Sequence, residues 1–272
     1  MTTIDKSVAI LQQVADHGPR LHLAALQQLT NIPKPTLHRT LRTMQEHGLI
    51  RQDSAGTYSI GSHLFSLANH VYERVSVPPE VRQVMIDLQN QVRETIHVSA
   101  FRRGQLVYVE KLEAPHPFQM MSRVGRFQPL YCSAIGKAVL SQLSDAEARS
   151  LLFALDMPVT TDKTVVDPPA ILDSLPALRM QGYAVDDEED EAGLRGIGTS
   201  FCDRTGYPTG GVSIVAPAFQ MSLSKAYGHV DKLIQATKDI ERIMYPPTSD
   251  VAALGDPVMR SDPRSSAQGY SL

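Results

Sequence analysis

The stretch Pro33-Lys34-Pro35-Thr36-Leu37-His38-Arg39-Thr40-Leu41-Arg42-Thr43-Met44 constrains this chain more than any other. Pro35 suits the first turn of a helix, where a missing N–H costs nothing, and Pro33 keeps the preceding turn rigid and non-helical. Leu37, Leu41 and Met44 recur at helical spacing and predict a buried stripe. The other face carries Lys34, Thr36, His38, Arg39, Thr40, Arg42 and Thr43, with no acid until Glu46. Hydroxyls and lysine suit phosphate oxygens, and arginine reads guanine edges bidentately. The stretch therefore predicts a helix for the major groove of DNA. An ordinary basic surface helix has the same composition, so its flanks decide.

Residues 4–17 predict a first helix with Ile4, Val8, Leu11, Val14 and Ala15 on one face, stopped by Gly18-Pro19. Leu23 to Leu29 predicts a short second helix, and Thr30-Asn31-Ile32-Pro33 a tight turn into the third. Gly48 is placed to end that helix as a left-handed cap. Leu49–Gln52 and Thr57–Ile60 predict two short strands joined by a turn at Asp53-Ser54-Ala55-Gly56. Three helices and a β-hairpin make a winged helix-turn-helix, whose wing supplies Arg51.

Division of the charge agrees. The chain carries a net charge of −3 over 272 residues, but residues 1–75 hold seven Lys/Arg against five Asp/Glu, and six of the nine histidines. A mildly basic start on an acidic remainder points weakly to one nucleic-acid-facing end. The length predicts two domains. No run reaches transmembrane length and the N-terminus does not read as a signal peptide, which predicts a cytoplasmic chain without membrane partners. Cys132 and Cys202 stand far apart without a CxxC pattern, so neither a disulfide framework nor a zinc site is expected.

Several segments are similar to those of the IclR-type bacterial transcription regulators. Thr3-Ile4-Asp5-Lys6-Ser7-Val8-Ala9-Ile10-Leu11 resembles their opening helix, and Asn31 to Leu41 their recognition segment, with Pro35 where the family usually has Ser. Gly48-Leu49-Ile50-Arg51 and Tyr58-Ser59-Ile60-Gly61 resemble their wing. The resemblance covers about residues 3–245.

Gly61 to about Glu73 predicts a linker helix with Leu64, Leu67, Ala68 and Val71 on one face, read either as a dimerisation and relay helix or as packing on its own wing. Val77-Pro78-Pro79 marks a boundary. Beyond it, a helix carries Val81, Val84, Met85, Leu88 and Val92 on one stripe. Strands are expected over 95–100, 106–110, Phe118–Val124, 183–185, 194–202 and 210–216. Helices are expected over 134–142, 144–155, 168–181 and, as one long element, Ser222–Met244. The tail after Pro246-Pro247 is rich in Ser, Asp, Pro, Gly and Ala and is expected to be disordered. The organisation is thus α+β. Residues 1–61 form a winged helix-turn-helix, 62–77 a linker helix and 78–245 an effector-binding and oligomerisation domain, which the resemblance implies is GAF-like, with a tail over 246–272.

Four stretches suggest chemistry. Gly136-Lys137 lacks the flanking glycine and hydroxyl of a phosphate loop, with Tyr131 and Ala138 in their places. Gly193-Leu194-Arg195-Gly196-Ile197-Gly198 has no helix obviously following it and reads as a permissive strand. Cys132 or Ser133 could pair with His116 as a nucleophile, but an inert buried cysteine is the commoner case. Asp186 to Glu191 is six adjacent acids, ordinarily a solvated loop, although able to attract a cation.

The resemblance implies an effector pocket lined by Met120, Ala134, Ile135, Asp186, Gly196, Ser213 and Val215. Family members that bind small polar acids commonly carry cysteine at the place of Gly196, and Ser-Ile-Ser-Gly where this chain has Ser213-Ile214-Val215-Ala216. Losing a thiol and a hydroxyl adds space and apolar surface. This predicts a larger carboxylic acid, aromatic or hydroxylated, its carboxylate on the N–H groups opening the 134–142 helix. The expected protein is a ligand-responsive regulator without cofactor, metal or catalytic residues. It would bind double-stranded operator DNA through Lys34, Thr36, His38, Arg39, Thr40, Arg42 and Arg51, as a homodimer or a dimer of dimers. The rival reading is an enzyme acting on a small carboxylate, with a regulatory winged-helix appendage.

Overall fold

The computed structural model describes residues 2–18, 21–75, 77–115, 120 and 122–246. The chain divides after Val75 into two compact units.

In the first unit, α1 (Thr3–His17) opens on a capping box: the Thr2 hydroxyl accepts from the Asp5 N–H and the Asp5 carboxylate from the Thr2 N–H. Helices α2 (Leu23–Thr30) and α3 (Lys34–Glu46) meet at Asn31, which takes the left-handed conformation. Gly48, at φ 63°, turns the chain out of α3, and the Leu49 N–H closes back on the Met44 carbonyl at 2.8 Å. Strands β1 (Ile50–Gln52) and β2 (Tyr58–Ile60) pair antiparallel with Arg51 opposite Ser59. One core joins them: Ile10, Val14, Leu26, Leu37, Leu41, Met44, Ile50 and Tyr58 are all buried. Helix α4 (Ser62–Val75) starts against the α3–β1 corner, its His63 N–H donating to the Gly48 carbonyl. On α4, Leu64 is half-buried while Phe65, Leu67 and Ala68 are exposed; the side chain of Val71 lies outside the described set.

The second unit is a six-stranded antiparallel sheet in the order β5-β4-β3-β8-β7-β6. Its strands are β3 (Thr95–Arg102), β4 (Gln105–Leu112), β5 (Phe127–Gln128), β6 (Ala184–Asp187), β7 (Leu194–Cys202) and β8 (Pro208–Pro217). One face is covered by α5 (Pro79–Val92) and α10 (Val230–Met244), whose Thr237 hydroxyl meets that of Thr199 at 2.5 Å. The other face carries α6 (Ala134–Gln142), α7 (Asp145–Ala154) and α8 (Pro168–Gln181) over a core of Phe101, Leu106, Ile135, Val139, Leu152 and Leu175. Alternate residues of each strand serve these two layers. Hence β3, which alternates apolar and polar in sequence, is buried along almost its whole length.

Three expectations need correction. Met120 and Ser122–Val124 are not in a strand; Phe118, Gln119 and Met121 lie outside the described residues. Val124-Gly125 instead forms a turn, with Gly125 at φ 88°, and the edge strand follows at Phe127–Gln128. The long terminal helix is two elements, α9 (Leu223–Tyr227) and α10, because at Gly228 the ladder slips: the His229 N–H donates to Ala226 rather than to Lys225. The acidic run is not a solvated loop. Asp187 and Glu188 pair with Lys163 and Arg195, and Glu189 pairs with Lys137 at 2.5 Å. The predicted tail from 247 onward lies outside the described residues. Among the described residues no helix is long and apolar enough to cross a membrane.

Candidate functional site

Two surfaces carry the residues singled out by the sequence. On the first unit, α3 buries Leu37, Thr40, Leu41 and Met44 and exposes Lys34, His38, Arg39, Arg42 and Thr43, with Thr36 half-buried. Thr40 is the exception among the predicted contacts. It is 7% exposed and its hydroxyl donates to the Thr36 carbonyl at 2.9 Å, so it cannot reach a groove. Counting from the apolar positions, it sits one step beside the Leu37–Leu41–Met44 stripe and shares its burial. Arg42 is tied to Glu46 at 3.0 Å on the exposed surface, and Arg51 Nε donates to the Ser59 hydroxyl across the hairpin at 2.8 Å. The wing turn is held by Asp53, which accepts from Thr57 and Ala55; the Thr57 hydroxyl and N–H keep its carboxyl below the usual range.

In the second unit a cavity of about 290 Å³ opens between the sheet and the start of α6. All seven residues assigned to the pocket line it: Met120, Ala134, Ile135, Asp186, Gly196, Ser213 and Val215. The strand register explains the meeting, since Gly196 lies opposite both Asp186 and Val215 across β6–β7–β8. Ser133 caps α6, its hydroxyl accepting from the Gly136 N–H and donating to the Pro129 carbonyl. The Ala134 and Ile135 N–H groups, first in the helix, have no intrahelical acceptor and carry the positive end of its dipole. Gly198 lets α6 come this close: a Cβ there would stand 2.6 Å from the Ala134 carbonyl carbon and 2.7 Å from the Ile135 nitrogen.

The sequence reading missed much of the lining. His97, Tyr108, Ser122, Arg126, Gln128, Asp190 and Glu191 also face the cavity. For His97 the signal was present in the polar half of the β3 alternation, which sets it opposite Ser213 in the register; the others carried no such pattern. Burial, then the charge of Lys111, holds the His97 imidazole down to about 3, so it is neutral. Its Nε2 bonds the Ser122 hydroxyl at 2.8 Å and its ring lies 4.6 Å from that of Tyr108. Lys111 Nζ donates to the Met120 carbonyl at 3.1 Å and to the Ser122 carbonyl at 2.9 Å, tying both residues to β4. Burial pushes the Asp186 carboxyl up to about 7, although the Glu189 and Asp190 N–H groups on its Oδ1 pull the other way. Burial also raises the Asp190 carboxyl.

The alternative sites fare differently. Cys132 is fully buried in the α6–α8 core, where burial raises its thiol, and its long contact to Asp190 measures 3.9 Å. A nucleophile needs the opposite shift. His116 lies outside the described residues. Lys137 is taken up by Glu189, so Gly136-Lys137 offers no phosphate cradle. Among the described residues no cluster of three or more His, Cys, Asp or Glu could hold a metal ion.

Residues 69–242 match the model of the bacterial transcriptional regulator IclR C-terminal domain, and residues 3–54 that of the IclR helix-turn-helix domain. The chain is 31% identical over 245 residues to the HTH-type transcriptional regulator KdgR of Escherichia coli, covering 90% of this chain and 93% of that one. It is 26% identical over 241 residues to the transcriptional repressor IclR of the same organism, covering 88% of each. Among solved structures, Thermotoga maritima IclR superposes with a TM-score of 0.69 at 25% identity, over 89% of this chain and 98% of that one. An IclR homologue from Microbacterium hydrocarbonoxydans, complexed with 4-hydroxybenzoate, gives 0.68 at 23% identity, over 88% and 98%.

Proposed function

As the chain belongs to the IclR family of bacterial transcriptional regulators, we propose that it switches operator occupancy in response to a small hydroxylated carboxylic acid, aromatic rather than two-carbon. Residues 1–61 are the DNA-binding head, 62–77 the linker, and 78–245 the effector-binding and oligomerisation domain. Lys34, Thr36, His38, Arg39 and Arg42 of α3 and Arg51 of the wing contact double-stranded operator DNA. A homodimer or dimer of dimers places one recognition helix on each half-site.

One observation carries the ligand class: the first N–H groups of α6 and the half-buried Asp186 face the same cavity. The Ala134 and Ile135 N–H groups suit a carboxylate. Ionised Asp186, Asp190 and Glu191 would repel that carboxylate, so Asp186 serves as a neutral acid, or accepts from a ligand hydroxyl. Met120, Ile135 and Val215 supply the apolar contact, and a two-carbon acid would leave most of the cavity to water. The neighbour holding 4-hydroxybenzoate supports the same chemistry. The effector acts by binding one arrangement of the heads better than another.

The test is a thermal-shift and calorimetric panel on the full chain: 4-hydroxybenzoate, benzoate, an aliphatic polyhydroxy acid and a two-carbon oxo acid. Hydroxylated aromatic acids are expected to raise the melting temperature most. Tight binding of the two-carbon acid with none of the aromatics would overturn the ligand assignment and leave the family role standing.

A further inference from the structure

The buried stripe of α1 changes character along its length. Val14 and Ile10 are buried in the core, but the next positions at helical spacing are Ser7 and Thr3. Helix α3 has a matching polar row in Thr36, Thr40 and Thr43, continued by His47 at its C-cap; the Thr40 hydroxyl is held on the Thr36 carbonyl. Between the two helices lies a groove of about 350 Å³, to which Lys6 and Arg39 add their cations and, among the described residues, no carboxylate contributes.

Lys6 is half-buried there, and neither it nor Arg39 forms an ion pair among the described residues. In this they differ from Arg42, which is held by Glu46. Two unpaired cations sharing one acid-free groove leave room for an anion between them. The groove runs on into the outward ridge of α3, since Thr36 and Arg39 belong to both. The hydroxyls of Ser7 and Thr43 donate to carbonyls of their own helices, bonds that a rotating hydroxyl exchanges for an external acceptor.

We infer that this groove seats a phosphate of the DNA backbone, clamped between Lys6 of α1 and Arg39 of α3. The inference rests on the DNA-binding reading of the head and extends it to a helix outside the helix-turn-helix proper. Its role is register: a phosphate fixed beside Thr36 and Arg39 sets how far the α3 ridge enters the groove, without itself reading sequence.

The experiment compares the full chain with Lys6→Gln and Lys6→Arg, on operator and on an unrelated duplex, across a salt series. Lys6→Gln is expected to weaken both by a similar factor, about eightfold near 0.1 M salt, and to make the slope of log affinity on log salt shallower by about 0.9, as for one lost phosphate contact. Lys6→Arg is expected to retain most of the affinity. Unchanged affinity and slope in Lys6→Gln would overturn the inference. So would a loss confined to the operator with the slope unchanged, because that describes a lost base contact rather than a lost phosphate contact. A Lys6-dependent rise in melting temperature with inorganic phosphate, without any effect on DNA, would make the groove a free-anion site instead. If Arg42→Ala weakens operator binding and Lys6→Gln does not, the head binds DNA and this clamp is wrong. A wild-type chain that binds no duplex would sink both readings together.

Discussion

Gly196 and Gly198 stand two residues apart on the same face of β7, and adding one methyl group to each should give opposite results. At Gly198 the new Cβ would meet the Ala134 carbonyl carbon at 2.6 Å, the Ile135 nitrogen at 2.7 Å and the Ala134 oxygen at 2.9 Å. All three are backbone atoms of the α6 N-terminus, which cannot swing aside as a side chain can. Relief to an ordinary contact requires α6 to move by about 1 Å against the sheet, and overpacking of this kind costs about 1–3 kcal/mol. In a unit of this size each kcal/mol lowers the melting temperature by about 2–4 °C. The same movement carries the Ala134 and Ile135 N–H groups off the proposed ligand carboxylate. A charge-assisted hydrogen bond is worth about 1.5–3 kcal/mol, so effector affinity should fall at least about tenfold.

At Gly196 the Cβ would lie 3.3 Å from Val215 Cγ2 and 3.6 Å from Ala134 Cβ, a tight but movable side-chain contact. Alanine in place of glycine inside a strand gains about 0.5–1 kcal/mol, which offsets that crowding. Gly196→Ala should therefore keep its melting temperature and shift selectivity toward smaller ligands, because only the cavity wall moves inward. The assay is calorimetric unfolding with effector titration on the two single variants. Equal melting temperatures for both, or wild-type affinity in Gly198→Ala, would refute the reasoning.

The remaining predictions concern charge and the head. Because the Asp186 carboxyl is raised from an ordinary carboxylate to about 7, its contribution to folding stability falls as pH rises from about 4 to about 7 and is flat above that. Carboxylate-effector affinity should fall over the upper part of that window and flatten in Asp186→Asn; titrations giving the same pH profile in both proteins would contradict this. Arg39→Ala and Arg42→Ala should each weaken specific operator binding while leaving effector affinity unchanged, as read by gel shift and calorimetry. The exposed Arg42–Glu46 pair is worth only about 0.3–0.5 kcal/mol, too little to hold Arg42 back from DNA. Leu37→Ala, in a fully buried position, should cost the head about 2–5 kcal/mol and abolish DNA binding without altering effector binding by the second unit; loss of both functions would show that the units do not fold independently.

What the sequence determined by itself was local. Pro35 with the Leu37–Leu41–Met44 stripe, Gly48 and the Asp53 turn each depend on the conformational limits of a few neighbouring residues, and those limits act before any tertiary contact forms. Resemblance to a family then placed seven lining residues around a cavity that no spacing rule could have assembled. Tertiary structure decided the rest, because periodicity says which side chains share a face but not what covers it. The polar half of β3 had the pattern of a solvent face, yet it carries His97 into the cavity, where burial keeps the ring neutral. Thr40 shared its composition with the outward ridge of α3, but the fold buries it with its hydroxyl on the Thr36 carbonyl. Six adjacent acids read as a solvated loop until Lys137 and Lys163, distant in sequence, and Arg195 from the next strand came to meet three of them. Asp186 and Asp190 were left facing the cavity. Their raised carboxyls follow from desolvation, a property of the assembled fold that no single segment carries.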